Sequence, residues 1–420
     1  MTTLDRTQAP PFQLSRSYSL ARPEVSHLSD GIKFFLFRDI QQEVVKLDMV
    51  FSAGKWFESK PGTSHFTAQM LQKGTSARNS YQVAEAIDSL GAHLEITPGF
   101  DVVSVSLFSL RKNLLAAFRI VVELLSEPAF DEDELRLMKD IFIQNLKVNN
   151  EKTNVVASKE IRKAIFGNHH PYGASIEEGE VTQITRTDLQ QFFKDEFKLH
   201  SVFLIGKLSV AEVNEIMQLV PASLLQRKAV RTHASVSGRS VTINKQESVQ
   251  TSIRLGKKCI ARGDSAKYFD ALMFNHLLGG FFGSRLMKNI REEKGLTYGI
   301  YSSLHHFQND SFWLIGAEVN RENAERAVEE IRFEIKALQN DLVPADELEV
   351  ARNYFIGSWQ SENSTLFSVA EKIQTIHLHG LPQDYYTHLL EHLSNITPTQ
   401  VQQAANTYFD TSDLIEVRVG

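Results

Sequence analysis

The feature that most constrains how this chain can fold is a repeat of itself at long range. Ile184-Thr185-Arg186-Thr187-Asp188-Leu189-Gln190-Gln191-Phe192 is echoed by Ile396-Thr397-Pro398-Thr399-Gln400-Val401-Gln402-Gln403-Ala404, and Phe197 and Phe409 keep the same offset of 212 residues. Both stretches read as helices opened by a threonine whose hydroxyl accepts an N–H of the first turn, with apolar positions following at helical spacing. Each is followed by a short strand-like segment ending in glycine, residues 201–206 and 414–420. A capped helix, a Gln-Gln pair and a terminal strand recurring together point to duplication. The chain must therefore build the same kind of unit twice, at about 200 residues each.

Residues 44–51 and 248–255 have strand-like content. Residues 82–90, 114–125 and 131–149 in the first half, and 323–339, 345–359 and 366–377 in the second, carry helical periodicity. Strands and helices in separate runs predict an α+β architecture. It would consist of two homologous α/β sandwich domains, each a mostly antiparallel sheet with helices packed on one face. The expected organisation is a flexible lead-in over 1–25, a first domain over 26–225, a polar and basic linker over 226–240, and a second domain over 241–420.

Charge excludes one large class of partners. The chain has 45 basic and 51 acidic residues, a net charge of −6, and no long like-charge block. A phosphate-binding face would show as basic excess, so no nucleic-acid partner is expected. No apolar run is long enough to span a bilayer, and Met1–Ser19 lacks an apolar signal-peptide core. The expectation is a cytoplasmic protein with no membrane partner. The single cysteine, Cys259, excludes an internal disulfide and, at the end of a strand-like stretch, is expected to be a small apolar residue rather than a reactive thiol.

Residues 62–75, GTSHFTAQMLQKGT, have the form of a zinc-protease helix with its chemistry removed. The inverted zinc motif reads H-x-x-E-H: two histidines bind the metal and the glutamate takes a proton from the zinc-bound water. The frame here begins at His65, but Ala68 holds the base position and Gln69 the second ligand position. Alanine cannot accept a proton, and a neutral amide is a poor zinc ligand beside imidazole.

The flanks carry the motif further. Gly62, His65, Phe66, Met70 and Lys73-Gly74-Thr75 match the G-x-x-H-F-x-E-H-M-x-x-K-G-T block of the pitrilysin/insulinase-type metallopeptidases, the family of insulin-degrading enzyme and mitochondrial processing peptidase. The chain resembles that family over essentially its whole length after roughly the first 25 residues. In the family the third zinc ligand is a glutamate on a later helix; in the matching run 143–147 the place is held by Asn145. The resemblance thus leaves one potential ligand of three and no base, and implies no cofactor in this chain. His170-Pro171-Tyr172-Gly173 matches the H-P-Y-G that follows. Leu94-Glu95-Ile96-Thr97 stands where the family often has L-N-A, in an edge strand able to pair with peptide. Pro98 would limit pairing there.

The second half keeps its family block. Leu278–Leu286, LGGFFGSRL, is followed by Arg291-Glu292-Glu293-Lys294-Gly295-Leu296-Thr297-Tyr298. Family members carry an arginine and a tyrosine seven residues apart here, facing the zinc across a closed cavity, and Arg291 and Tyr298 have that spacing. A guanidinium and a phenol aimed at the scissile carbonyl would stabilise the negative charge that hydrolysis builds on its oxygen. The bland alternative is a surface ion pair for Arg291 and strand packing for Tyr298. Gly279, Gly280 and Gly283 lack the order and the lysine of a phosphate loop. They fit equally a contribution to substrate binding, as the resemblance implies, and a tight turn.

A literal H-x-x-E-H does occur, at His388-Leu389-Leu390-Glu391-His392. Its histidines share one helical face, but the family holds no metal at that place, and Leu389, Leu390 and Leu393 read as a core-facing stripe. The expectation is therefore a zinc-free chain that supplies Arg291 and Tyr298 in trans to a zinc-bearing homologous peptidase subunit acting on peptides. A catalytically inactive scaffold homologue is the alternative.

Overall fold

The two halves build sheets of matching topology. The structure, a computed structural model, describes residues 7, 19–28, 31–38, 42–225, 231–236 and 238–420. Most of the expected lead-in (1–25) and residues 226–230 and 237 of the expected linker lie outside the described residues. The first sheet comprises β1 Glu24–His27, β2 Lys33–Phe37, β3 Val44–Phe51, β4 His93–Pro98, β5 Val103–Leu110 and β6 Leu199–Ile205, in the order β1-β2-β6-β3-β5-β4. The second comprises β7 Val241–Ile243, β8 Gln250–Lys258, β9 Thr297–His306, β10 Ser311–Asn320 and β11 Ile415–Val419, in the order β7-β11-β8-β10-β9. With β1 set aside the two orders superpose, and the parallel pair falls at the same place in each: β2 with β6, β7 with β11. Strand β1, which pairs antiparallel with β2, overlaps the end of the expected lead-in.

The helices of the first half are α1 Thr63–Met70, α2 Ser80–Ser89, α3 Leu114–Ser126, α4 Glu132–Glu151, α5 Thr153–Phe166, α6 Glu178–Gln183, α7 Arg186–Glu196 and α8 Val210–Leu219. Those of the second half are α9 Ser265–Asn275, α10 Ala324–Asn340, α11 Ala345–Glu362, α12 Leu366–Leu378, α13 Tyr385–Asn395 and α14 Pro398–Tyr408. The repeated motif folds as its sequence predicts. Thr185 and Thr397 accept the N–H groups of Asp188 and Gln400, whose side chains return to the capping N–H, closing a capping box at the start of α7 and of α14.

Most helices of each half pack on one face of its own sheet, as the sequence predicts, and the other face is covered as well. Residues alternate across a strand. Val45, Leu47, Met49 and Phe51 of β3 face a core shared with α1 and α3, whereas Val50, with Phe35, Phe203 and Ile205, faces Val369 and Ala370 of α12. In the second sheet, Ile253 and Leu255 face that half's own helices. Phe312, Leu314, Val417 and Val419 face Ala157, Ile161, Ile165 and Phe166 of α5. Helices α5 and α12 lie one repeat apart, and each covers the outer face of the other half's sheet. The exchange is reciprocal.

Buried charge marks both crossings. Lys46 of β3 pairs with Asp48 at 3.0 Å and reaches Glu371 of α12 at 3.4 Å. Arg254 of β8 pairs with Glu318 at 2.7 Å and reaches the Ser158 hydroxyl of α5 at 3.3 Å. Charges are tolerated in such places only when partnered. A third tie is the Tyr172 of the H-P-Y-G block, whose hydroxyl donates to Asp101 and whose ring stacks on Phe307 at 4.0 Å. Asp101 also accepts the N–H of Gln308, so the β4–β5 and β9–β10 turns meet there.

Burial leaves an acid-sensitive signature. It lowers His276, His377 and His379 to about 4 each, because the imidazolium would be desolvated. Unfolded, these histidines would bind protons near pH 6.5. Their contribution to stability is therefore complete above that pH and is lost as pH falls from about 6.5 toward 4. For His276, the most deeply buried of the three, the expected cost is about 2 kcal/mol at pH 5. Urea unfolding at pH 7 and pH 5 checks this, with a smaller loss for His276→Gln. Among the described residues no helix is long and apolar enough to cross a membrane.

Candidate functional site

Helix α1 begins at Gly62, which stands in the left-handed region at φ +91° and so explains the motif glycine. The Glu58 carboxylate accepts the Ser64 N–H at 2.9 Å and caps the helix, while burial pushes its pKa up to about 7. Phe66, Ala68 and Met70 point into the core. The position of the missing base is thus filled by a packed methyl group. His65 is half-buried, with its ring 5.0 Å from that of Phe142 on α4, and burial holds its pKa below the usual histidine value. Asn145, one turn beyond Phe142, is exposed to solvent.

Gln69 is engaged elsewhere. Its Nε2 donates to the carbonyl of Ile96 in edge strand β4 at 3.1 Å. One half-buried imidazole, a methyl group, a committed amide and an exposed neutral amide do not fit zinc, which takes several N, S or O ligands at once. Among the described residues, no three His, Cys, Asp or Glu side chains lie close enough to hold a metal ion.

The second half presents a different surface. A π-turn extends α9 through His276–Gly280, bringing Gly279 so close to β9 that a Cβ there would lie 2.7 Å from the Ser302 nitrogen. Gly280 and Gly283 flank the turn that carries Phe282, an exposed ring. The Arg291 guanidinium lies over that ring, 5.0 Å from its centroid. Arg291 makes no ion pair with a described residue, contrary to the bland alternative.

Nor is Tyr298 packed: it is 92% exposed. The pairing of β9 with β10 breaks register between Ala317 and Val319, so that Tyr298 and Gly299 sit on a β-bulge. Bulges of this kind re-aim side chains. The Thr297 hydroxyl holds it, donating to the Glu318 carbonyl at 2.6 Å and accepting the Gly299 N–H at 3.2 Å. Sequence reasoning missed Phe282 and Thr297. The available signal was a glycine directly after Thr-Tyr in a strand, which marks a bulge. No described hydrogen bond, ion pair or ring contact joins Arg291 or Tyr298 to His65, Gln69 or Asn145.

The literal H-x-x-E-H does not form a site. His392 on α13 bonds through Nε2 to Asp270 at 2.6 Å, His388 lies 3.4 Å from Asp384, and Glu391 is exposed. Leu389, Leu390 and Leu393 are buried as expected. Cys259 is partly buried beside Asp310, and burial pushes its thiol up to about 12, which keeps it protonated and unreactive.

Comparison with known proteins bears on the family and the fold. Residues 34–178 match the family model described as insulinase (peptidase family M16), and residues 183–355 match that of the peptidase M16 inactive domain. A Bacillus subtilis relative described as the uncharacterized zinc protease YmxG is 23% identical, over 78% of this chain and 81% of its own. A Helicobacter pylori relative described as the non-peptidase homolog YmxG is 21% identical, over 84% of this chain and 83% of its own. A Pseudomonas fluorescens structure described as a peptidase M16 inactive domain shares the fold at a TM-score of 0.87 and 24% identity, covering 95% of this chain and 98% of that one. A Helicobacter pylori protease structure does so at 0.85 and 16%, covering 96% and 100%. Two family models that together span most of the molecule, and a zinc helix recognisable with its ligands replaced, place this chain in peptidase family M16 as a zinc-free member.

Proposed function

We propose that this chain is the zinc-free subunit of a heterodimeric metallopeptidase. It would offer Arg291 and Tyr298 to the carbonyl of a peptide whose attack is carried out by a zinc-bearing homologous partner. The observation that carries the reading is the display of the pair. A guanidinium stacked on Phe282 and a phenol lifted on a bulge are both presented outward, 5.0 Å over the ring and 92% exposed, where a docking partner could enclose them. In water their hydrogen bonds are weak; enclosed against a partner they would act in a low-dielectric space, where such donors count most. Gly279, Gly280 and Gly283 would shape the floor on which the peptide lies.

Co-expression with an M16 homologue that retains H-x-x-E-H is expected to give peptide hydrolysis that neither chain shows alone. A partner equally active without this chain would overturn the proposal. If the bulge aims Tyr298, Thr297→Val is expected to lower kcat of the pair about tenfold, the worth of roughly one hydrogen bond, with KM little changed. Thr297→Ser should restore it.

The second reading, a scaffold without a catalytic role, is favoured by the lost ligand set and by the description of the Helicobacter pylori relative. It predicts a complex whose hydrolysis is indifferent to Arg291.

A further inference from the structure

The Gln69 bond to Ile96 falls on β4, one of the two edge strands of the first sheet, whose outward backbone groups could receive another strand. Gly99 donates to the Val102 carbonyl at 2.9 Å across the β4–β5 turn, which makes that a hydrogen-bonded pair. Bonded and non-bonded pairs alternate along an antiparallel ladder. Counting back, Thr97–Ser104 and Glu95–Ser106 are bonded, and Pro98, Ile96 and Leu94 turn their polar groups to the open edge. Pro98 has no N–H. The Ile96 carbonyl is taken by Gln69. Only Leu94 keeps both groups free.

The second half carries the same device. Phe307 donates to Asp310 at 2.9 Å, and the same counting turns Ser302 of β9 to the open edge. Asn275, at the end of α9, donates its amide to the Ser302 carbonyl at 3.2 Å. Its own Oδ1 accepts the Ser302 hydroxyl at 2.7 Å, and that hydroxyl accepts the Trp313 indole N–H at 2.7 Å. The correspondence is in register: the step from residue 69 to 275 equals that from 96 to 302, 206 positions in each case. At equivalent points of the duplicated fold, a carboxamide on the helix ties down the carbonyl of the edge strand.

We propose that Gln69 is a latch that holds shut a latent peptide-binding edge on β4. Strand addition needs an N–H and a C=O at every second residue of the receiving edge. With Gln69 in place one residue offers both; with Gln69 withdrawn, Leu94 and Ile96 offer both in succession and their available backbone groups rise from three to four. The latent ligand is an extended peptide recognised through its main chain. The inference stands apart from the role proposed for Arg291 and Tyr298.

The test is a titration of the full chain with a labelled unstructured peptide and with the same peptide N-methylated at alternate residues. It uses wild type, Gln69→Ala, and Gln69→Ala combined with Arg291→Ala. The alanine variant is expected to bind at least about tenfold more tightly than wild type. N-methylation should abolish the gain, and Arg291→Ala should leave it intact. Gln69→Leu, which keeps the packing but not the donor, carries the test if the alanine variant fails to fold. Wild-type binding that is already sensitive to N-methylation would overturn the latch, as would a folded Gln69 variant with no gain in affinity.

Discussion

Arg291→Ala is expected to lower kcat of the reconstituted pair by about 10²–10³, the usual effect of removing one preorganised donor to a developing oxyanion. KM should change far less, because the donor is worth most when the carbonyl oxygen carries charge. Tyr298→Phe removes the other donor while keeping the ring and should fall in the same range. Arg291→Lys is not a gentle substitution at this position. The planar guanidinium stacks on Phe282 and can present two N–H groups together, whereas an ammonium is a point charge on a flexible stem. Steady-state kinetics on a quenched peptide, with the partner at saturation, read all three. A complex that keeps full kcat with both Arg291→Ala and Tyr298→Phe would leave this chain as scaffold.

Phe166→Ala is expected to cost about 3–5 kcal/mol, the range for deleting a buried aromatic ring. Phe166 is fully buried at the end of α5, with Phe312 edge-on at 5.7 Å, Tyr172 at 5.7 Å and Phe307 at 5.9 Å. Two of those rings, Phe307 and Phe312, belong to the other half of the chain. The loss should therefore destabilise both halves in one unfolding transition rather than loosen the first half alone. Urea unfolding followed by tryptophan fluorescence checks it, since Trp56 lies in the first half and Trp313 and Trp359 in the second. Two separated transitions in the variant would mean that the exchanged helix does not couple them.

Much of this fold can be read from sequence because its signals are local. Strand Val44–Phe51 and the threonine-capped helices declare themselves through β-branched content and through Thr-x-x-Asp or Thr-x-x-Gln spacing. The destination of α5 does not. Its apolar positions say that one face is buried, but amphipathicity does not say against which sheet. The hints were Gly256, which leaves room for Ile161 and Ile165 on the far face of β8, and Arg254, a charge in a central strand. The candidate site divides in the same way. His65, Gln69, Asn145, Arg291 and Tyr298 were marked by their place in a family block. Phe282, Thr297 and the Gln69–Ile96 bond depend on register and on a bulge, which emerge only when strands pair.

The reciprocal exchange of α5 and α12 also bears on how a member of a hydrolytic family could shed its metal and persist. What holds the halves together lies on the outer faces of the sheets, among Phe35, Phe203, Val369 and Phe166, and makes no use of the α1 ligand positions. Substitutions at positions 68, 69 and 145 could accumulate without loosening that joint. In a genome that keeps a zinc-bearing copy, the chemistry of one copy is then free to decay while its architecture stays under selection. A gene copy of this kind can specialise in recognition without first passing through an unstable intermediate.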